Sequence, residues 1–195
     1  MSFVARDLLL QVIGDHRPEL LEHTDQVAAL AAATARSLGL AGDVVQQIAQ
    51  AAELHDIGKV AIPHSVLSKP EPLSQDEWTV MRQHTVIGER MLSEAPELRP
   101  VAALVRSSHE RWDGAGYPDG LAGDEIPLAA RIFAVADTLD AMTTDRPYRR
   151  RCGWEQAVDE ILRESGRQFD PKVVRAFATR AQRLRRTQLE LAKTA

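Results

Sequence analysis

Residues 43–59, DVVQQIAQAAELHDIGK, predict an apolar helix that ends on two side chains able to bind a metal ion. Asp43 is a candidate N-cap, and apolar residues recur at helical spacing up to His55. Gly58 interrupts this pattern, so the chain is expected to turn just after His55 and Asp56. An imidazole and a carboxylate side by side at a helix end can reach one metal ion, and the carboxylate can bridge two.

Helical periodicity runs through most of the remaining chain, and no segment alternates cleanly with a period of two, so the sequence predicts an all-α fold. Further helices are expected near the N-terminus and at about 18–38, 75–93, 100–109, 128–142, 154–165 and 171–191. Ser74 and Glu77 form a capping-box pattern at the start of one of them. The segment 113–127 is rich in glycine and proline and is predicted to be a long loop, which inside a compact domain is usually functional.

Length and composition predict one globular domain over residues 1–195, with most of its motifs between about 19 and 177. The net charge of −4 does not favour a protein that binds duplex nucleic acid, because such proteins are usually basic. The apolar N-terminal stretch is short and interrupted by charged residues, so no membrane insertion is expected. Cys152 is the single cysteine, which excludes an intrachain disulfide and fits a cytoplasmic location.

Several expected helices each contribute one or two candidate metal ligands. Besides His55 and Asp56, the candidates are Glu19, His23, His84, His109 and Asp137. Glu19 and His23 are four residues apart and share a helix face that should point inward, where a carboxylate and an imidazole need a cation. Histidine and carboxylate ligands without a thiolate favour iron or manganese over a structural zinc site. The competing interpretation is that these residues are scattered, satisfied separately and bind no metal.

These residues lie within a series of ordered motifs. The motifs are His55-Asp-Ile-Gly-Lys59, Lys69-Pro-Glu-Pro-Leu73, His84-Thr-Val-Ile-Gly88, His109-Glu-Arg-Trp-Asp-Gly-Ala-Gly-Tyr-Pro118, Ala134-Val-Ala-Asp137, Asp145-Arg-Pro-Tyr148 and Gly166-Arg-Gln-Phe-Asp-Pro171. In this order and spacing the chain resembles the HD-GYP subgroup of the HD phosphohydrolase superfamily from about Glu19 to Phe177. The resemblance implies a helical HD-domain bundle with a long Gly-rich loop.

The resemblance also implies a function. Members of this family are metal-dependent phosphodiesterases that hydrolyse cyclic di-GMP to the linear dinucleotide or GMP, with two or three iron or manganese ions. The implied metal ligands are Glu19, His23, His55, Asp56, His84, His109 and Asp137. The implied substrate-binding residues are Lys59, Tyr117, Arg146 and Arg149, and Asp56 and Lys59 are the implied catalytic pair. A cyclic dinucleotide and a GGDEF-type or other regulatory domain are the expected partners.

The expected reaction follows from metal chemistry. Ions that share a water molecule lower its pKa, and the resulting hydroxide attacks the phosphodiester phosphorus. Lys59 is placed one turn past Asp56, where its charge can stabilise the phosphate oxygens or protonate the leaving group. Tyr117 could pack against a guanine or hydrogen-bond to it.

The sequence departs from the family at two positions. Ser108 stands where the family has the first of two adjacent histidines, and His64 stands where it usually has an aspartate. A serine hydroxyl is a poor substitute for imidazole, so one ion is expected to be held weakly, whereas His64 is expected to be structural or exposed. Two other functions stay open: hydrolysis of another nucleotide or cyclic dinucleotide, and a degenerate domain that binds a nucleotide or a partner without turnover.

Overall fold

The fold is all-α, as the sequence predicted. The computed structural model describes residues 3–16, 24–144 and 151–179. Its helices are α1 (Phe3–His16), α2 (Thr24–Ser37), α3 (Gly42–Leu54), α4 (His64–Leu67), α5 (Gln75–Ser93), α6 (Arg99–Arg106), α7 (Leu128–Thr143), α8 (Trp154–Arg163) and α9 (171–179). Short 3₁₀ turns cover Ile57–Ala61, Pro96–Leu98 and Gly123–Glu125. Within the described ranges, strand-like pairing is limited to two isolated bridges, Asp113 with Ala122 and Ser165 with Phe169.

Helix α3 lies between two apolar clusters. Ile48 and Ala52 pack into a cluster shared with α2, α7, α8 and α9, while Ala51 and Leu54 pack into a second cluster with α1, α5 and α6. Alanines occupy most of the α2 surface in the first cluster, so α2 can pack closely against both α3 and α7. The end of α3, which carries His55 and Asp56, is therefore held by packing on two sides.

The turn after α3 lies directly against α5. A Cβ atom added at Gly58 would stand 1.9 Å from the His84 carbonyl oxygen and 2.7 Å from the Gly88 nitrogen. Only a residue without a side chain permits this approach. The glycine of the His55–Lys59 motif thus brings the carboxyl end of α3 next to the middle of α5, where His84 lies.

The predicted start of α5 is confirmed. Ser74 Oγ accepts a hydrogen bond from the Glu77 backbone N–H at 3.3 Å, and a Glu77 carboxylate oxygen accepts one from the Ser74 N–H at 2.7 Å. This capping box satisfies two amide groups that the first turn would otherwise leave open. The register of α5 is set at this end, two and a half turns before His84.

The predicted end of α6 was wrong. The sequence placed it near His109, but α6 ends at Arg106 and the chain turns through Ser107, whose carbonyl accepts from the Glu110 N–H at 3.1 Å. Contacts distant in sequence hold the segment that follows, because the Trp112 and Asp113 N–H groups donate to the carbonyls of Gln168 and Arg167. His109 consequently lies on a turn beyond the helix.

The sequence predicted no membrane-inserted segment, and the helices of the structure bear on this prediction. Among the described residues, no helix combines the length and apolar character needed to cross a membrane.

Candidate metal centre

Three structural elements bring a carboxylate and two imidazoles together. Asp56 follows α3, His84 lies on α5, and His109 follows α6. One ligand atom from each side chain lies within 4.8 Å of the other two. His84 Nε2 is 3.8 Å from Asp56 Oδ1, and the ring centroids of His84 and His109 are 5.0 Å apart. The arrangement has the spacing of side chains that surround a metal ion.

Hydrogen bonds orient two of the histidines. The Nδ1 atom of His84 lies 2.8 Å from the Met81 carbonyl oxygen, and that of His55 lies 2.7 Å from the Ala52 carbonyl oxygen. A carbonyl oxygen can only accept, so Nδ1 carries the proton in both rings. In a neutral ring the Nε2 lone pair is then directed toward Asp56, which is how a backbone carbonyl typically orients a metal-binding histidine.

The atoms that face one another are buried and lack hydrogen bonds. Asp56 Oδ1, His84 Nε2 and His109 Nε2 are all inaccessible to solvent and have no hydrogen-bond partner in the described part of the chain. Acceptor atoms grouped in this way repel each other and lose their hydration, which is costly unless a cation lies among them. The donor set of one carboxylate and two imidazoles therefore fits a divalent metal ion.

The pKa shifts favour the protonation states that a metal ion requires. Burial would raise the pKa of Asp56, but the charges of His55 and Lys59 hold it well below its usual value. Burial lowers the pKa of His84, and burial together with the charge of His84 lowers the pKa of His109 to about 3. Near neutral pH, Asp56 is therefore ionised while His84 and His109 are neutral, as metal ligands must be.

His55 lies beside this group. Its Nε2 atom is 3.3 Å from Asp56 Oδ1, close enough for a direct interaction with the carboxylate charge. Burial lowers the pKa of His55, but the Asp56 carboxylate more than offsets this and raises it. The metal-free pair therefore favours a proton on His55, which a metal ion would displace.

Lys59 is anchored on the other oxygen of Asp56. Its Nζ atom donates to Asp56 Oδ2 at 2.7 Å, while the lysine remains partly exposed. The two oxygens of Asp56 thus make different contacts: Oδ1 faces the histidines, and Oδ2 accepts a hydrogen bond from the Lys59 ammonium group. An ammonium held here retains further N–H groups for a bound anion.

The Gly-rich loop covers the histidine side of the site. The Tyr117 ring is stacked on the His109 ring, with centroids 5.1 Å apart and planes inclined by 15°. The Arg82 guanidinium lies over the same tyrosine, 5.3 Å from the ring centre. Burial, with a smaller effect from Asp56, raises the pKa of Tyr117, so its hydroxyl stays protonated and can donate.

Other candidate residues have different outcomes. Asp137 on α7 is only partly buried, less than the sequence suggested, and it acts on His55 and His109 through its charge. The neighbouring Asp140 is the deeply buried carboxylate of this helix, with 4% of its surface exposed.

His64 is exposed, as expected. Glu19, His23, Arg146 and Arg149 lie outside the described residues.

Two residues next to the site did not emerge from the sequence. Glu110 is buried and accepts hydrogen bonds from three loop amides, and Arg82 lies over Tyr117. Glu110 could have been noticed as a carboxylate that directly follows a ligand histidine and precedes a glycine-rich loop. Arg82 has no comparable signal, because an exposed arginine on a helix is common.

The chain is similar in sequence to several known proteins. A family model described as an HD domain matches residues 7–173. A cyclic di-GMP phosphodiesterase of Thermotoga maritima is 43% identical over 172 residues, which cover 87% of this chain and 47% of that protein. A 3′3′-cGAMP-specific phosphodiesterase of Vibrio cholerae is 39% identical over 154 residues, covering 78% and 30% respectively.

A solved structure extends the agreement to the fold. The HDG"Y"P protein Bd1817 from Bdellovibrio bacteriovorus superposes with a TM-score of 0.66 at 18% identity, covering 81% of this chain and 51% of that one. The chain spans less than half the length of the two curated relatives above. Because the family model covers most of the chain, the chain belongs to the HD domain family, and its ordered motifs resemble those of the HD-GYP group.

Proposed function

We propose that this protein is a metal-dependent phosphodiesterase that hydrolyses cyclic di-GMP to the linear dinucleotide, GMP or both. The observation that supports this most directly is the group of Asp56, His84 and His109, whose buried ligand atoms lie within 4.8 Å of one another. A cyclic di-GMP phosphodiesterase is also among the relatives that share over 40% of their aligned residues with this chain.

The proposed metal site holds two or three divalent ions, iron or manganese. Asp56, His84 and His109 would hold one of them, and His55 and Asp137 are proposed to complete the set with Glu19 and His23. A bound ion of this kind would act as a Lewis acid and lower the pKa of water. Ligands that are nitrogen and oxygen only, with no thiolate, support iron or manganese.

The chain's own residues would bind and orient the substrate. Lys59, held by Asp56 at 2.7 Å, presents an ammonium group to a phosphodiester and stabilises charge on its oxygens. Tyr117, held against His109, offers a protonated hydroxyl and a ring edge to the nucleotide. Arg146 and Arg149 are proposed to meet the phosphates as well.

The proposal also covers the domain organisation, the location and the partner of the protein. We propose that residues 1–195 form one catalytic domain that works in the cytoplasm. A GGDEF-type or other regulatory domain is the proposed partner, since relatives are more than twice as long as the matched region.

The test combines activity with metal content. Protein purified without oxygen is analysed for iron and manganese and assayed on cyclic di-GMP with and without chelator, beside an Asp56→Asn variant. The asparagine variant is expected to lose metal and at least about 100-fold of turnover, because a neutral amide is a poor ligand and leaves Lys59 unpaired. A variant that keeps wild-type turnover would rule out the proposed site.

A second substrate is supported by one comparison. A relative with 39% identity is named for 3′3′-cGAMP, a cyclic dinucleotide with one adenine. Competition between cyclic di-GMP, 3′3′-cGAMP and cyclic di-AMP in one reaction separates the possibilities through the ratio of kcat/KM values. Preference for cyclic di-GMP supports the main proposal, and preference for either other substrate assigns the site to that dinucleotide.

A further inference from the structure

Glu110 is a buried carboxylate that serves the Gly-rich loop. It has 4% of its surface exposed. One oxygen accepts hydrogen bonds from the Asp119 and Gly120 N–H groups at 2.8 and 3.1 Å, and the other accepts from the Leu121 N–H at 3.1 Å. Three consecutive backbone amides therefore surround one negative charge. Such charge-assisted bonds are shorter and stronger than neutral ones.

The loop is folded tightly around this residue. A Cβ atom added at Gly116 would stand 2.4 Å from the Arg111 nitrogen and 2.5 Å from the Glu110 Cα, so only glycine allows the loop to pass here. The Tyr117 N–H donates to the His109 carbonyl at 3.2 Å. The path of the loop from Gly116 to Leu121 is thus tied at both ends to the two residues His109 and Glu110.

These contacts leave Glu110 little scope for direct chemistry. No basic side chain pairs with it in the described ranges, and both of its oxygens are occupied by loop amides. A carboxylate already bonded in this way is poorly placed to ligate a metal ion or to transfer a proton. Its neighbour His109, by contrast, directs a buried Nε2 atom toward Asp56 and His84.

We propose that Glu110 is the positioning residue of this site: it holds the loop so that Tyr117 stays stacked on His109. Through that stack it shapes the side of the metal centre where the cyclic dinucleotide binds, an inference that rests on the proposed function. Glu110 fixes the conformation of the glycine-rich loop, because the loop amides can satisfy the buried carboxylate only in this conformation.

Glu110→Gln is the principal test, because it keeps the shape but turns an NH₂ group toward a loop N–H. Metal content is expected to stay at the wild-type level, while KM for cyclic di-GMP rises about tenfold and kcat changes less. Hydrolysis of bis(4-nitrophenyl) phosphate, a small diester without bases, should be nearly unaffected. Hydrogen exchange at the amides of 119–121 should become faster.

The matched control is Glu125→Gln. Glu125 is an exposed glutamate of the same loop that also accepts from one loop amide, that of Ala122 at 3.1 Å. The Glu125→Gln variant is expected to leave KM for cyclic di-GMP unchanged. If Glu110→Gln does not fold, Gly116→Ala tests the same loop path from the other side, and it should also raise KM without loss of metal.

A double-mutant cycle identifies the route of the effect. In a Tyr117→Ala background, Glu110→Gln should raise KM no further if Glu110 acts through Tyr117. An additive effect, a loss of metal in Glu110→Gln, or unchanged amide exchange at 119–121 would each overturn the inference. If the wild type does not hydrolyse cyclic di-GMP, the proposed function fails, while amide exchange and metal content still decide the role of Glu110.

Discussion

Ser108 is buried immediately before a ligand histidine, with 3% of its surface exposed. Its hydroxyl oxygen has no hydrogen-bond partner among the described residues. A hydroxyl without a partner in the interior costs free energy, so this position does not gain stability from the serine itself. Whether this buried position can carry a metal ligand stays a prediction.

Ser108→His is expected to tighten one metal ion and to raise turnover at low metal concentration. Imidazole binds iron and manganese far better than a neutral hydroxyl, and the position adjoins His109. A titration of metal against cyclic di-GMP hydrolysis measures the change. Ser108→Ala is the control and should match the wild type, since it removes only an oxygen that contributes little. A wild type that keeps all of its metal through chelator dialysis would show that Ser108 costs the site nothing.

The contact between the Ile57–Ala61 turn and α5 determines whether Asp56 and His84 can meet. Gly58 lies so close to the His84 carbonyl that no side chain fits between them. Any residue larger than glycine must push the turn away from α5, and a displacement of one or two ångströms is enough to separate the ligand atoms. The packing of two elements, rather than either helix alone, therefore sets the metal-binding geometry.

Gly58→Ala is expected to lower the free energy of unfolding by about 1–3 kcal/mol and to reduce metal affinity, because the added methyl group overpacks the contact. Gly42→Ala is the matched control. A Cβ atom at Gly42 would meet nothing within 4 Å, so its effect should stay within about 0.5 kcal/mol. Denaturant unfolding and metal titration of both variants provide the measurement. Equal behaviour of the two variants would contradict the importance of the close approach.

Metal binding should affect the stability of the whole molecule, because its ligands connect the end of α3, the middle of α5 and the turn after α6. An ion that binds only the folded state stabilises it by about 2.7 kcal/mol at a hundredfold excess over Kd. Manganese is therefore expected to raise the Tm of the wild type but not that of His84→Gln. Thermal unfolding with and without manganese measures the shift. A His84→Gln protein that retains the full shift would place the ion elsewhere.

The metal-free protein should become less stable as pH falls. His109 takes up a proton near pH 6.5 in the unfolded chain but only near pH 3 in the fold, because burial lowers its pKa. The unfolded state binds more protons between these values, so stability is complete above this window and is lost within it. The lowered pKa of His84 acts in the same direction, whereas the raised pKa of His55 opposes it.

His109→Gln removes the group whose pKa falls to about 3 in the fold. In chelator, its Tm is expected to fall less than that of the wild type between about pH 7 and pH 4. Parallel curves for the two proteins would show that His109 does not control the acid sensitivity.

Much of the architecture could be predicted from the sequence because it depends on local interactions. The start of α5 follows from Ser74 and Glu77, three residues apart in one turn. The end of α3 and the bounds of α7 follow from apolar spacing and flanking glycine or proline, whereas Asp43, the expected N-cap of α3, lies inside that helix and Ala41 is its N-cap. The candidate ligands Asp56, His84 and His109 were likewise recognisable, since each belongs to a motif with its own spacing.

Only the tertiary structure decided how those residues are used. The segment that follows α6 is held by hydrogen bonds from Trp112 and Asp113 to residues 168 and 167, more than 50 positions away, which no local pattern reports. The stack of Tyr117 on His109 and the anchoring of the loop by Glu110 likewise arise from contacts across turns. The sequence identifies the candidate metal ligands by their residue types. The distances between the ligand atoms and the protonation states of the ligands depend on burial and neighbouring charge, which exist only once the helices have packed.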